Sequence, residues 1–385
     1  MVKIVLGGEE MKKIIKSILL CIATITIFSI IPSISNAATT KVTDEETLNS
    51  AISSADYGDT VELQNNITVT KPIVIAKELI IDGNGYTITG SSDWTSTSGN
   101  QTMFTAQFSD AKLTLKDINL QNGPKYGVQS YDGATVILDN VSVTGFRYGG
   151  VLANGGNVEV RKLHLGYNGT NANNGIEIDK GTAATNNPTL TMNGVLTSDS
   201  SENVVRIPEN GNVKEFTVTN AEGTANKVVI AGGNIVLTDS ADNVISETTL
   251  PSDVTANADT QNAIITLVVN RESNKIVVDL GKTITQDLLK SHIKLAENYK
   301  IDGFYTDEQY VNEFDFNTPI DADKTIYVKI SEIQNNQPEN KPENVVTEKD
   351  ETPKTGVSNF IGIAILVILL SAVIISYMRK KDKIG

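Results

Sequence analysis

A short sequence pattern recurs four times between residues 113 and 197, and it constrains the fold more than any other feature. The copies are Leu113–Asn122, Val136–Gly145, Val158–Tyr167 and Leu190–Thr197, with a longer gap before the last. Each copy holds two alternating apolar and polar stretches that are separated by a polar pair, such as Lys116-Asp117. Because alternation sends successive side chains to opposite faces of a strand, each copy predicts two short strands.

A further short apolar strand lies between these copies. Its five occurrences are Val128–Ser130, Val151–Ala153, Ile176–Ile178, Val205–Ile207 and Val229–Ala231. Three strands per repeat predict a coil that stacks on itself, because no single repeat can bury its apolar face alone. The pattern resembles the right-handed parallel β-helix of the pectate-lyase-like proteins, over roughly residues 43–246. We therefore expect Val128, Val151, Ile176 and Val205 to lie one above another inside a rod.

The composition of the chain speaks against several kinds of binding partner and of catalytic site. The chain has 385 residues, a net charge of −14 and one cysteine, Cys21, in a segment expected to be removed. We therefore expect no disulfide, no thiolate metal site and no cysteine nucleophile. The acidic balance speaks against nucleic acid, which needs basic patches, and against polyanionic substrates unless a cation intervenes.

The amino end predicts a signal peptide over residues 1–37, with its true start at Met11. A basic segment, Met11–Lys16, precedes an apolar run, and Ser35-Asn36-Ala37 supplies small residues for cleavage after Ala37. Thr43 and Glu46 then fit a capping box, followed by a helix with Leu48, Ala51, Ile52 and Ala55 on one face. This helix is expected to cap the open end of the solenoid. Trp94 is expected to be exposed or half-exposed on a polar loop.

The outer face of the middle strands is where the resemblance places substrates. Its outward column is predicted to read Gln129, Leu152, Glu177, Arg206 and Ile230. Neighbouring Glu177 and Arg206 have two interpretations, a catalytic acid or base and an exposed ion pair that stabilises by under about 1 kcal/mol. Lyases of this fold use an Arg or Lys base beside Ca²⁺, and glycosidases need two facing carboxylates, for which Glu177 and Asp179 are the nearest pair. The ion pair is the favoured interpretation, because Leu152 and Ile230 share the column.

Aromatic residues beside the same strands are the best candidates for ligand binding. Tyr126, Tyr131, Arg147, Tyr148 and Tyr167 fall in flanking turns, where tyrosine rings either stack on sugars or pack against the edge of the solenoid. His164 lies between Leu163 and Leu165 and is expected to point outward without a role. The polar residues of the bends are expected to form structural ladders rather than a metal site.

The pattern changes after the polar connector of residues 248–260. Ile264–Val269 and Ile276–Leu280 predict a hairpin, and Thr283 with Gln286 predicts a second capping box before a short helix. Gly303–Asp307 and Phe314–Ile320 resemble the Listeria–Bacteroides repeat, also called the internalin B-repeat. That resemblance implies a small β-grasp-like spacer or interaction module over residues 260–331.

The carboxyl end predicts a wall anchor. Residues 332–351 form a polar linker rich in Pro, Asn, Glu and Lys, which is expected to be flexible. Thr352-Pro353-Lys354-Thr355-Gly356, the apolar residues 360–378 and Arg379-Lys380-Lys381 together resemble a Gram-positive sortase sorting signal over residues 352–385. Thr352 departs from the usual Leu, and the resemblance implies cleavage after Thr355. A plain membrane-anchored ectodomain is the alternative.

These features predict an all-β surface protein with five segments: signal peptide, β-helix over residues 38–250, repeat module, linker and sorting signal. The first hypothesis is a non-enzymatic, adhesin-like protein that binds a glycan or a host protein, with sortase and peptidoglycan as partners and no cofactor. The second is a wall-attached lyase or glycosidase, with Ca²⁺ only if it is a lyase. A purely structural stalk is the third.

Overall fold

The computed structural model describes residues 37–169 and 174–333. Its first elements are β1 (Thr39–Val42), α1 (Glu45–Ser54), β2 (Thr60–Leu63), β3 (Ile67–Val69), β4 (Ile73–Ile75), β5 (Glu78–Asp82), β6 (Thr87–Gly90) and β7 (Phe104–Gln107). Almost all of the predicted signal peptide and of the linker lies outside the described residues. The sorting signal with its membrane span lies outside them entirely. Within the described ranges, no helix has the length and apolar character needed to cross a membrane.

The remaining elements complete the coils and a carboxyl-terminal module. The coils continue with β8 (Lys112–Gly123), β9 (Tyr126–Tyr131), β10 (Thr135–Phe146), β11 (Gly149–Asn154), β12 (Asn157–Leu165), β13 (Ile176–Asp179), β14 (Thr189–Ser198), β15 (Val205–Arg206) and β16 (Glu215–Asn220). After them come β17 (Lys227–Ala231), β18 (Asn234–Thr238), β19 (Val244–Thr249), β20 (Thr255–Ala258), β21 (Asn262–Val269), β22 (Glu272–Asp279), α2 (Gln286–Ser291), β23 (Tyr299–Tyr305) and β24 (Lys324–Glu332).

Two parallel sheets form the solenoid. Sheet A runs in the order β1-β2-β5-β8-β10-β12-β14-β16-β20, with β3 and β6 attached beside β8. Sheet B runs in the order β15-β13-β11-β9-β7-β4. From β7 to β15 the chain alternates between the two sheets, so each coil contributes one strand to each. The arrangement of the strands in stacked parallel sheets confirms the expectation of a mainly β, pectate-lyase-like solenoid.

The inward register of sheet B also matches the expectation. Val151 pairs with Val128 on one side and with Ile176 on the other, and Ile176 pairs with Val205. All four side chains are at most 2 % exposed and belong to one apolar cluster that extends along the solenoid. The inward faces of successive coils therefore stack at the spacing of neighbouring strands. Together they form the continuous apolar core that a single coil cannot make.

The polar pairs in the repeats mark bends in the long strands of sheet A. Asp117 and Asn140 take left-handed backbone conformations, with φ of 47° and 61°, which Asp and Asn adopt more readily than other side chains. The Asn140 Nδ2 donates to Asp117 Oδ1 at 2.6 Å. In β14 the bend needs a glycine, because a Cβ on Gly194 would lie 1.8 Å from the Arg161 carbonyl oxygen. Of the four polar bend residues expected to form a ladder, Asp117, Asp139, Asn140 and Asn193, the contact between Asp117 and Asn140 has the expected form, while Asn193 and Asp139 contact Glu159 and Arg161, respectively.

Three details near the amino end differ from the sequence expectation or refine it. The N-cap of α1 is Asp44, whose carboxylate accepts from the Thr47 backbone N–H at 2.8 Å, so the capping box is shifted one residue from Thr43 and Glu46. Leu48, Ala51 and Ile52 are buried in the solenoid core, while the capping role of the helix stays a prediction. Trp94 is buried, at 8 % exposed, because its ring packs with the solenoid core and anchors its loop there, and its indole N–H donates to Gln101 Oε1 at 2.7 Å.

The fifth copy of the middle strand was predicted wrongly. Val229–Ala231 belongs to β17, which pairs antiparallel with β18 in a third sheet, so Ile230 does not extend the outward column of sheet B. The tight turn of this hairpin uses Gly232 and Gly233, both with positive φ. The strands of this hairpin are apolar on both faces. A run of apolar residues does not show whether a strand lies in a parallel coil or in an antiparallel hairpin. Val228, Ile235 and Leu237 join the solenoid core, whereas Val229 and Val236 pack with Ile264 and Val277.

Sheet C continues from this hairpin into the carboxyl-terminal segment. Its order is β19-β18-β17-β21-β24-β23, with β22 paired to β21. The predicted hairpin is present, with Asn270 and Arg271 in its turn, and α2 follows with Thr285 rather than Thr283 as its N-cap. Because β17–β19 belong to sheet C while β20 returns to sheet A, the predicted boundary at residue 250 does not separate the sheets. The division into two domains stays a prediction.

Candidate functional site

Two columns of side chains line the outer face of sheet B. The first reads Thr105, Gln129, Leu152, Glu177 and Arg206, which are successive register partners. The second, two residues further along each strand, reads Gln107, Tyr131, Asn154 and Asp179. The predicted order from Gln129 to Arg206 is therefore found, with Thr105 before it instead of Ile230 after it.

A groove of about 360 Å³ lies over the amino-terminal half of these columns. It is lined by Gly99, Asn100, Thr102, Thr105, Gln107, Lys125, Tyr126, Gln129, Tyr131, Leu152 and Asn154. Carboxamides, hydroxyls and tyrosine rings predominate in this lining, and Lys125 is the one group charged at neutral pH among the lining residues. Among the described residues that line the groove, none carries a carboxylate. We call this site the sheet B groove.

The loop between β6 and β7 forms one wall of the sheet B groove. Beyond the Trp94 anchor, Asn100 Nδ2 donates to Thr105 Oγ1 at 3.1 Å, and Thr102 Oγ1 donates to Gln129 Oε1 at 3.2 Å. The Lys125 ammonium donates to the Gly99 carbonyl at 2.6 Å. The loop is therefore held against the same column of side chains that forms the floor.

A second loop packs on the side of the groove where the strands of sheet B end. Asp132 Oδ1, at the turn after β9, accepts from the backbone N–H groups of Thr185 at 2.7 Å and Asn186 at 3.0 Å. These backbone hydrogen bonds, chiefly that from Asn186, lower the pKa of Asp132 to about 2. The contact joins residues more than 50 positions apart in sequence and fixes the loop that the longer gap before the fourth repeat provides.

Glu177 is buried, at 5 % exposed, and both of its carboxylate oxygens are engaged. The Tyr126 hydroxyl donates to Glu177 Oε1 at 2.7 Å, and the Arg206 guanidinium donates to Glu177 Oε2 at 2.5 Å. Burial, together with the negative charge of Glu177, raises the pKa of Tyr126 above its usual value. The Tyr126 ring reaches Glu177 across Gly149, where a Cβ would approach the ring to 2.9 Å. The ion pair favoured from sequence is therefore present, but it is buried and has a third member, Tyr126.

Asp179, the other carboxylate candidate, lies on the second column. Its Oδ1 accepts from the Asn212 backbone N–H at 3.0 Å. Glu177 is directed to Tyr126 and Arg206 while Asp179 binds a later loop, so neither carboxylate is among the residues that line the groove. The structure thus places the three catalytic candidates at the end of the groove rather than in it.

The five binding candidates do not all lie at the sheet B groove. Tyr126 and Tyr131 line the sheet B groove. Tyr148 packs edge-on against Tyr126, with ring centroids 6.0 Å apart, and the Lys125 ammonium lies 5.9 Å from its centroid. Arg147 lines a different depression beside Trp94 and Pro124, and Tyr167 is 61 % exposed outside the groove lining. Sequence reasoning placed Gln129 in the outward column but did not identify it, Gln107 or Asn154 as a binding candidate, because carboxamides in alternating strands carry no distinctive motif.

Neither a metal-binding cluster nor a histidine is found among the described residues that line the sheet B groove. In residues 37–169 and 174–333, no group of three or more His, Cys, Asp or Glu side chains is arranged to hold a metal ion. His164 points outward on sheet A, where its Nδ1 lies 3.1 Å from Thr197 Oγ1 and its Nε2 lies 3.6 Å from Asp199. His164 is therefore on another face of the solenoid from the sheet B groove.

Comparison with known proteins supports the architecture. Residues 39–151 match the model of a family described as a pectate lyase-like adhesive domain. No curated protein matches the chain. Among solved structures, a pectin methylesterase variant in complex with a hexasaccharide is similar at 11 % identity, with 67 % of this chain and 95 % of that chain covered and a TM-score of 0.30. A TM-score this low carries no conclusion about this chain.

Proposed function

We propose that this chain is an extracellular, adhesin-like surface protein that binds a glycan in the sheet B groove without cleaving it. The match of residues 39–151 to an adhesive domain family supports the adhesive role. The residues that line the groove are the reason for proposing a glycan as the ligand. Glycans present hydroxyl groups that carboxamides bind and C–H faces that pack on aromatic rings, and the groove offers both kinds of partner.

The same groove argues against the lyase and glycosidase alternatives. A glycosidase needs two carboxylates that face each other across the scissile bond, whereas the described lining residues supply none. Glu177 is already bound by Tyr126 and Arg206, so it is not free to transfer a proton or to hold Ca²⁺, and Arg206 is held as its ion-pair partner. Binding without turnover is the function that this arrangement supports best.

Binding by the full chain to an array of neutral and acidic oligosaccharides tests the proposal. Gln107→Ala removes an outward carboxamide from the floor of the groove, and we expect it to weaken binding about tenfold, as loss of one or two hydrogen bonds does. Thr114→Ala, on the outer face of sheet A, is the matched control and should bind as the parent does. Equal binding by all three proteins would place the ligand elsewhere.

We further propose that the protein is anchored to the cell wall by sortase. Thr352–Gly356, the apolar segment and the basic residues behind it support this proposal at the level of sequence. On this account residues 260–331 form the internalin B-type module that spaces the solenoid from the wall, and peptidoglycan is the covalent partner. Thr355→Ala should move the protein from the wall fraction to the membrane fraction, because cleavage after Thr355 is lost. An unchanged wall fraction would contradict the anchor.

A further inference from the structure

Phe108 has a backbone conformation that an aromatic residue seldom adopts. It follows β7 directly, with φ of 82°, and its side chain is 56 % exposed. Left-handed conformations bring the Cβ of an ordinary side chain too close to its own backbone, and they persist where the surroundings or the function require them. Phe108 lies outside the three apolar clusters of the described residues, so burial does not compensate this cost.

Neighbouring coils make the same turn without such a residue. Gln107 pairs with Tyr131 and Tyr131 pairs with Asn154, so the residues that follow them, Phe108, Asp132 and Gly155, occupy equivalent corners. All three have positive φ, with values of 82°, 46° and 66°. Asp and Gly adopt this conformation at little cost, whereas Phe does not. The turn itself therefore does not account for an aromatic ring at this corner.

The position of Phe108 supplies a reason. The residue before it, Gln107, lines the sheet B groove, as does Tyr131, its neighbour in register. Phe108 therefore stands at the rim where the strands of sheet B end, on the side opposite Lys125 and Tyr126. An exposed ring at a groove rim offers a face to the C–H groups of a pyranose ring.

We propose that Phe108 is a glycan-contact residue, whose ring packs with Tyr131 against a sugar ring at this rim of the sheet B groove. The inference rests on the proposed function of the groove. It adds a binding residue that neither the repeat pattern nor the predicted tyrosine set includes. Phe108 is not itself among the residues that line the groove, so on this proposal its ring extends the groove beyond Gln107 and Tyr131, and the unfavourable backbone conformation serves this contact.

Substitution separates a binding role from a structural one. Phe108→Asn removes the ring and supplies a side chain that tolerates positive φ, so we expect the thermal midpoint to be unchanged or higher. Affinity for oligosaccharide should fall about tenfold, the loss expected for one ring contact with its buried area. Phe108→Tyr keeps the ring and should keep the affinity. Tyr57→Asn, at an exposed aromatic residue that does not line the sheet B groove, should change neither property.

The probes are hexasaccharides of β-1,4-linked glucose, xylose, mannose and N-acetylglucosamine, titrated into the full chain, with a tryptic digest of gelatin as the peptide arm. If Gln107→Ala weakens glycan binding and Phe108→Asn does not, this inference is wrong while the proposed function stands. If neither variant changes glycan binding, both are wrong. A lower thermal midpoint in Phe108→Asn, or loss of peptide binding alone, would overturn the assignment of Phe108 to a sugar contact.

Discussion

Glu177 lies on the outer face of sheet B, where a sugar-processing β-helix would place a reacting group. Its surroundings give it a structural role instead, because the Tyr126 hydroxyl and the Arg206 guanidinium occupy its two oxygens. The sequence spacing predicted the neighbouring Arg206, since both residues follow buried apolar positions in adjacent coils. It did not predict Tyr126, which reaches the carboxylate only because Gly149 leaves space between them.

Removing this carboxylate should destabilise the fold. Glu177→Ala leaves the Tyr126 hydroxyl and the Arg206 guanidinium without their acceptor, and we expect a loss of about 3 kcal/mol in the free energy of unfolding. Glu177→Gln keeps one acceptor oxygen and should cost less. Urea unfolding of the two variants measures the difference, with exposed Glu308→Ala as the control. A stable Glu177→Ala protein would show that the three side chains are not coupled.

At the scale of elements, the strands were predictable and the loops that wall the groove were not. Strand positions follow from alternation, which is local, so the register of Val128, Val151, Ile176 and Val205 could be predicted. The loops at residues 91–102 and 181–188 are held by polar contacts to other coils, such as those of Asp132 with Thr185 and Asn186. Trp94 illustrates the limit, because it packs with the solenoid core although the sequence around it is polar.

The contact of Asp132 predicts a pH-dependent loop. Its pKa is about 2 in the folded state and about 3.9 when unfolded, so its contribution to stability is fully present above about pH 4 and is lost as the pH falls through about 2. The protection factors of the backbone amides of residues 181–188, which compare hydrogen exchange with the intrinsic rate at each pH, should therefore fall as the pH is lowered through that window. Asp132→Asn should exchange rapidly already at pH 5. A loop whose protection is the same in both proteins would contradict this role.

For the whole molecule, the hairpin of β17 and β18 is the joint between solenoid and carboxyl-terminal module. Its Val228 face completes the core of the solenoid and its Val229 face packs with Val277. Sequence periodicity could not reveal this arrangement, because a strand that is apolar on both faces fits a parallel coil equally well. With the module joined in this way, the described residues lead along the chain from the sheet B groove to the segment for which an anchor is proposed.

The recovery of bound oligosaccharide tests the central claim most directly. The full chain is saturated with the hexasaccharide that it binds best, and the sugar is analysed by mass spectrometry after prolonged incubation. We predict saturable binding that Gln107→Ala weakens, with the mass of the hexasaccharide unchanged. Shortened or unsaturated fragments that disappear in Glu177→Gln or in an Arg206 variant would contradict the claim and establish an enzyme.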